Sequence, residues 1–252
     1  MLQVFDLALG YGAEPVVQGV SLEVSAGQFV SLVGPSGSGK TSILRAINGL
    51  LTPRSGRVEL NGSRQSLGFL FQDDALLPWR TARENVALGL RIRGISKNSA
   101  LAEADDWLAS LGLEGFGSRY PHELSGGQKK RVAIAQVLAL KPKLLLMDEP
   151  FASLDAIVRT RITQDLLNWV EWEHLSVLLV THDLEEALTV SDIVYVLSQG
   201  PRARIRKSYP VPIPRPRDVF DSRKHPAFAP LVERLWQDMF EEASVSQAGA
   251  TR

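Results

Sequence analysis

Cysteine is absent from the 252-residue chain, and the four histidines, His122, His174, His182 and His225, are scattered along it. Disulfides and cysteine-ligated zinc are therefore excluded, and the histidine spacing offers no metal-site pattern. Excess charge is missing too: 28 Lys plus Arg balance 28 Asp plus Glu. With no global field to hold a polyanion, nucleic acid is not an expected partner. No stretch approaches the roughly eighteen apolar residues needed to cross a bilayer, and the first six residues lack the basic-then-apolar order of a secretion signal. Any membrane role is expected to fall to another chain.

What is present is enough apolar residue, 44%, to build a sizeable core. Residues 2–9 and 16–24 read as strands around a glycine-containing turn, and 29–33 as a buried strand. Ile43, Leu44 and Ile47, with Leu50 and Leu51, have helical spacing that ends near Gly49. Short strands follow at 57–60 and 67–71, then helices at 81–93, 100–111 and 125–140. After that, strands at 144–147, 177–180 and 193–197 alternate with helices at 156–173 and 184–190, the pattern of parallel βαβ units. Pro210, Pro212, Pro214 and Pro216 mark 201–217 as an extended connector. A last helix, over about 228–242 and carrying Leu231, Leu235 and Phe240, is expected to dock back, leaving the final ten residues unordered.

Gly34-Pro35-Ser36-Gly37-Ser38-Gly39-Lys40-Thr41 matches GxxxxGK[ST] between a strand and a helix, the context the phosphate-loop motif requires. Glycines let backbone N–H groups curl around phosphate oxygens, and the helix N-terminus adds partial positive charge. Lys40 is placed to reach the β and γ phosphates of ATP, and Thr41 to offer a hydroxyl to Mg²⁺. Further on, Asp148 and Glu149 close an apolar strand, at the end that faces the ligand crevice in open α/β sheets. Asp148 suits a water-mediated Mg²⁺ ligand. Glu149, directed elsewhere by strand alternation, suits a general base on water.

In company with these two features, Leu124-Ser125-Gly126-Gly127-Gln128 resembles the signature sequence of the ABC ATPase family, and the resemblance spans nearly the whole chain. It implies an α/β fold: a P-loop NTPase core with a mostly parallel sheet, an N-terminal antiparallel β layer and an inserted helical subdomain. The ATPase domain would cover 1–220, with the helical insert at about 75–140, followed by a C-terminal helix over 221–243 and a tail over 244–252. In the family the signature meets the γ-phosphate on a second copy of the chain, so two ATPs lie between two subunits. The resemblance also implies that Tyr11 stacks on adenine and that Gln72 contacts Mg²⁺ and signals to the membrane partner. Asp155, in Ser153-Leu154-Asp155, would cross the dimer, His182 would hold the γ-phosphate, and Ser42 would join the phosphate loop.

Three departures stand out. Lys129 and Lys130 replace polar glutamines in a first helical turn, where cations oppose the helix dipole unless an anion lies near; they read as solvated side chains. Gln136 replaces a frequent arginine, and Thr41-Ser42 reverses the more common order, neither removing a required group.

Phe71-Gln72-Asp73-Asp74-Ala75-Leu76-Leu77-Pro78-Trp79-Arg80-Thr81, with Glu84-Asn85-Val86 behind it, looks like the corresponding segment of importer ATPases serving nitrate, sulfonate and taurine. Pro214-Arg215-Pro216-Arg217-Asp218 points the same way. The implied partners are transmembrane permease subunits and, indirectly, an extracytoplasmic binding protein, with the chain peripheral on the cytoplasmic membrane face. Leu76, Leu77 and Trp79 either offer the permease an apolar docking surface or fill the local core. Arg202, Arg204, Arg206, Lys207, Arg215 and Arg217 read as a solvated basic face. An exporter subunit, or a soluble ABC ATPase of DNA repair or translation, is the alternative, though the long coiled coil or second ATPase domain of the soluble kind is missing.

Overall fold

The structure is a computed structural model that describes the backbone of residues 1–248 and the side chains of residues 1–239. The strands are β1 Leu2–Leu9, β2 Val17–Val24, β3 Phe29–Val33, β4 Ser55–Leu60, β5 Leu67–Leu70, β6 Leu144–Asp148, β7 Ser176–Thr181, β8 Ile193–Leu197 and β9 Ile205–Pro210. The helices are α1 Lys40–Ile47, α2 Ala82–Ile92, α3 Lys97–Ser110, α4 Gly126–Leu138, α5 Ala156–Trp172, α6 Leu184–Val190, α7 Val219–Lys224 and α8 Phe228–Ala248. They fall into two compact units, Met1–Arg64 with Val170–Arg252, and Gln65–Trp169.

The first unit holds two sheets. In the N-terminal one β1 lies between β2 and β4, antiparallel to both. In the other, β3 runs parallel to β7 on one side and β8 on the other. Every residue of β3 and β7 is buried, which is why they read as unbroken apolar runs: strands covered on both faces do not alternate. α1 closes at Ile47 with Gly49 behind it at φ 81, so Leu50, expected on the helix, lies beyond it and is exposed.

The expected connector at 201–217 contains a strand. β9 pairs antiparallel with β8, from Ile193 opposite Pro210 to Leu197 opposite Ile205. Its only proline is the terminal one, and an edge strand carrying Arg206 and Lys207 tolerates that composition. The expected solvated basic face holds for Arg202, Arg204 and Lys207, which are exposed, but is corrected for Arg215 and Arg217. Arg217 is 3% exposed at its side chain and donates to Asp192 at 2.9 Å and to the carbonyls of Val190 and Ile213. Arg215, half-buried, reaches Asp192 at 2.6 Å and Glu171 at 3.3 Å. Asp192 also accepts the Phe29 N–H at 2.8 Å. Burial by itself would raise the Asp192 pKa, but that N–H and the two guanidiniums outweigh it and hold the carboxyl below its usual range.

Asp218 then caps α7, a short helix that ends at Lys224, so the single helix expected over 221–243 is two helices. α8 places Leu231 and Leu235 in a core with Val33, Val194 and Val196, as expected. It runs on to Ala248, into the segment read as tail, and past Pro230 in its first turn no Gly or Pro interrupts it. The Phe240 side chain and residues 249–252 lie outside the described residues.

In the second unit β5 and β6 pair in parallel, Leu67 opposite Leu144 to Leu70 opposite Met147. Around them are α2, α3, α4 and α5. Thr81 and Glu84 form a reciprocal capping box that starts α2, and Ser125 and Gln128 form another that starts α4. Among the described residues no helix is long and apolar enough to cross a membrane.

Candidate functional site

The phosphate loop leaves the C-terminal end of β3 and enters α1. Gly37 at φ 78 and Gly39 at φ 93 adopt left-handed backbone that other residues rarely reach. At Gly39 space also forbids a side chain, since a Cβ would stand 2.5 Å from a Val17 methyl and 2.9 Å from a Val16 methyl. Lys40, 6% exposed, donates its ammonium to the carbonyls of Gly34 at 2.8 Å and Pro35 at 3.0 Å. Ser38 Oγ is fully buried with no hydrogen-bond partner. An orphaned hydroxyl, an ammonium folded over its own loop and two left-handed glycines make a cradle that fits a phosphate chain.

The same unit supplies two more expected residues. Val33 and Thr181 are partners in the β3/β7 ladder, so Gly34 and the exposed His182 follow from adjacent strand ends. Asp183 behind His182 caps α6. Tyr11 is 64% exposed, with its hydroxyl 3.2 Å from Ser42 Oγ on α1. That hydrogen bond, helped by Arg45, draws the phenol pKa below its usual value against the opposing effect of burial. A ring held at its tip and open on its face suits stacking.

In the second unit Asp148 ends β6, 7% exposed. Glu149 stands beyond the strand at φ 43. Strand alternation therefore does not set its direction, contrary to expectation; a left-handed backbone does, a conformation costly for a non-glycine residue and concentrated at functional sites. At the signature, Ser125 Oγ accepts the Gln128 N–H at 3.3 Å while Gln128 Oε1 accepts the Ser125 N–H at 2.9 Å. Gly127 is required by packing, because a Cβ there would meet a Val158 methyl at 2.6 Å. Gly126 faces nothing within 4 Å, so its bareness serves no neighbour in its own chain. Asp155 accepts the Val158 N–H at 3.0 Å and so caps α5.

The family model described as ABC transporter matches residues 17–152. The chain belongs to that family. It is 38% identical over 251 residues to the taurine import ATP-binding protein TauB of Escherichia coli K12, covering 96% of this chain and 98% of that one. It is 40% identical over 242 residues to the nitrate import ATP-binding protein NrtC of Synechococcus elongatus, covering 92% of this chain and 36% of that longer one. Among solved structures it resembles the dimeric ATP-binding cassette MJ0796 in a post-hydrolysis state with ADP and Pi. That likeness has a TM-score of 0.74 and 31% identity, over 84% of this chain and 99% of the other.

In this ABC chain the loop after β5 carries Gln72 with its side chain exposed. Trp79 is 69% exposed, so it does not fill the local core, while Leu76 and Leu77 are half-buried. The sequence reading missed what holds this loop. Asn85, fully buried, accepts the Leu77 N–H at 2.7 Å and donates to the carbonyls of Leu77, Arg80 and Thr81. Lys130, read as solvated, is 1% exposed, 2.8 Å from the Asp74 carboxylate and 3.1 Å from the Gln72 carbonyl oxygen. The signal was available: a cation near a helix's N-terminus calls for an anion, and Asp74 is that anion.

Proposed function

We propose that this chain is the ATP-hydrolysing subunit of a binding-protein-dependent importer for a small oxyanion or sulfonate nutrient, working as a dimer beneath separate permease subunits. The observation that carries the reading is the phosphate cradle with its orphaned Ser38 hydroxyl and folded Lys40. The import functions of the taurine and nitrate relatives support the importer and its class of cargo. The exposed Trp79, with Leu76 and Leu77, is the surface assigned to the permease.

In this reading the glycines of the loop, Ser36, Ser38 and Lys40 hold the phosphates, and Tyr11 stacks on adenine. Thr41, Gln72 and Asp148 would hold Mg²⁺, a donor set of hydroxyl, amide and carboxylate oxygens that suits this hard cation beside phosphate oxygens. Mg²⁺, when bound, neutralises charge on the β and γ phosphate oxygens. Glu149 accepts the proton of the attacking water, and His182 holds the γ-phosphate in line; the remaining work is positioning. Ser125, Gly126, Gly127, Gln128 and Asp155 act on the nucleotide of the second copy, so the isolated subunit is a weak ATPase.

The test is Glu149→Gln. It should retain ATP binding, lose roughly 10²-fold to 10⁴-fold in hydrolysis, and accumulate as a dimer on size-exclusion chromatography with ATP. Normal turnover by this variant would refute Glu149 as base. Failure of co-expressed permease subunits to bind the wild-type chain would refute the transport assignment.

A further inference from the structure

Lys130 sits in α4 five residues after Ser125, and its ammonium is removed from water. Burying an ammonium is costly unless its donors are met, and a buried ion pair seldom stabilises more than apolar packing would. Lys130 reaches the loop after β5 at two places. One is the Asp74 carboxylate at 2.8 Å, the other the main-chain oxygen of Gln72 at 3.1 Å. A single cation thus grips the loop at two points two residues apart. The backbone then turns through a left-handed Ala75 at φ 53, and the far end of the loop is pinned separately by Asn85 on α2. At the near end, Phe71, Gln72 and Asp73 stay exposed to solvent.

We infer that Lys130 is a positioning residue: it fixes the main chain at Gln72 and ties that loop to the signature helix, so that Gln72 and Ser125 move as one piece. The inference rests on the proposed reading of Gln72 as a Mg²⁺ ligand. Lysine rather than glutamine matters here, because a glutamine amide could donate to both groups but only the ammonium also neutralises the Asp74 carboxylate. Asp74, 24% exposed at its side chain, is the safer member of the pair to alter.

The experiment compares full-length wild type with Lys130→Met, Asp74→Asn and Gln72→Ala. Hydrogen exchange over residues 71–77 is followed without nucleotide, and the Mg²⁺ dependence of ATP turnover is measured alongside. Lys130→Met and Asp74→Asn should each speed exchange in the loop about tenfold. Each should also raise the Mg²⁺ concentration for half-maximal turnover roughly tenfold, the range for groups standing behind a metal ligand, with KM for ATP at saturating Mg²⁺ unchanged. A lowered Tm with exchange and Mg²⁺ dependence both unmoved in Asp74→Asn would overturn the inference. If Gln72→Ala leaves the Mg²⁺ dependence unmoved, the reading of Gln72 fails instead, and loop exchange still decides whether Lys130 holds the loop.

Discussion

Val33 and Thr181 stand opposite each other in the parallel ladder of β3 and β7, so the residues that follow them, Gly34 and His182, start from one edge of the sheet. This register sets the histidine beside the start of the phosphate loop although 148 positions separate Gly34 and His182 in the chain. His182→Ala is therefore expected to lower kcat by roughly 10²-fold, the loss seen when one preorganised donor to a developing charge is removed. Steady-state ATPase assays check this, and an unchanged kcat would remove His182 from the site.

Tyr11 offers an exposed ring held at its hydroxyl by Ser42. Loss of the ring in Tyr11→Ala should raise KM for ATP roughly fivefold, a stacking effect of about 1 kcal/mol, with little change in kcat. Tyr11→Phe keeps the face and loses only the Ser42 bond, so its KM should fall between the two. Equal KM values for all three proteins would exclude stacking.

The signature glycines should separate in their effects. Gly127→Ala drives a methyl against Val158 and should cost about 1–3 kcal/mol of stability, visible as a lower Tm. Gly126→Ala meets nothing and should leave Tm nearly unchanged, yet abolish the ATP-dependent dimer in the Glu149→Gln background. A normal dimer in that double variant would mean that Gly126 faces no partner.

Asp192 gives a pH prediction. Its carboxyl is held below the usual range in the folded chain, so at acid pH the folded chain binds fewer protons than the unfolded one. Its contribution is fully present above about pH 3.9, the unfolded value, and is lost as pH falls through the folded one. Thermal unfolding of Asp192→Asn should show a lower Tm than wild type at pH 7, with the gap closing below about pH 4. A gap independent of pH would assign the loss to packing instead.

The parts of the site legible in the sequence are those whose logic is local. The phosphate loop needs eight consecutive residues, and the Ser125–Gln128 box spans four; both carry their physics in spacing. Lys130 and Arg217 were misread because their partners, Asp74 and Asp192, lie far away in the chain, and burial of a charge depends on that distant pairing. β9 was hidden by prolines that mostly follow it, and the direction of Glu149 by a φ no propensity reveals.

Gly39 presses on Val16 and Val17, where β2 begins, and β2 is held by β1. The eight-residue motif is thus moulded from outside as well as from within. Grafted onto another scaffold, the same letters would lose the wall that shapes them, and a match to the motif alone would overstate what the graft could bind.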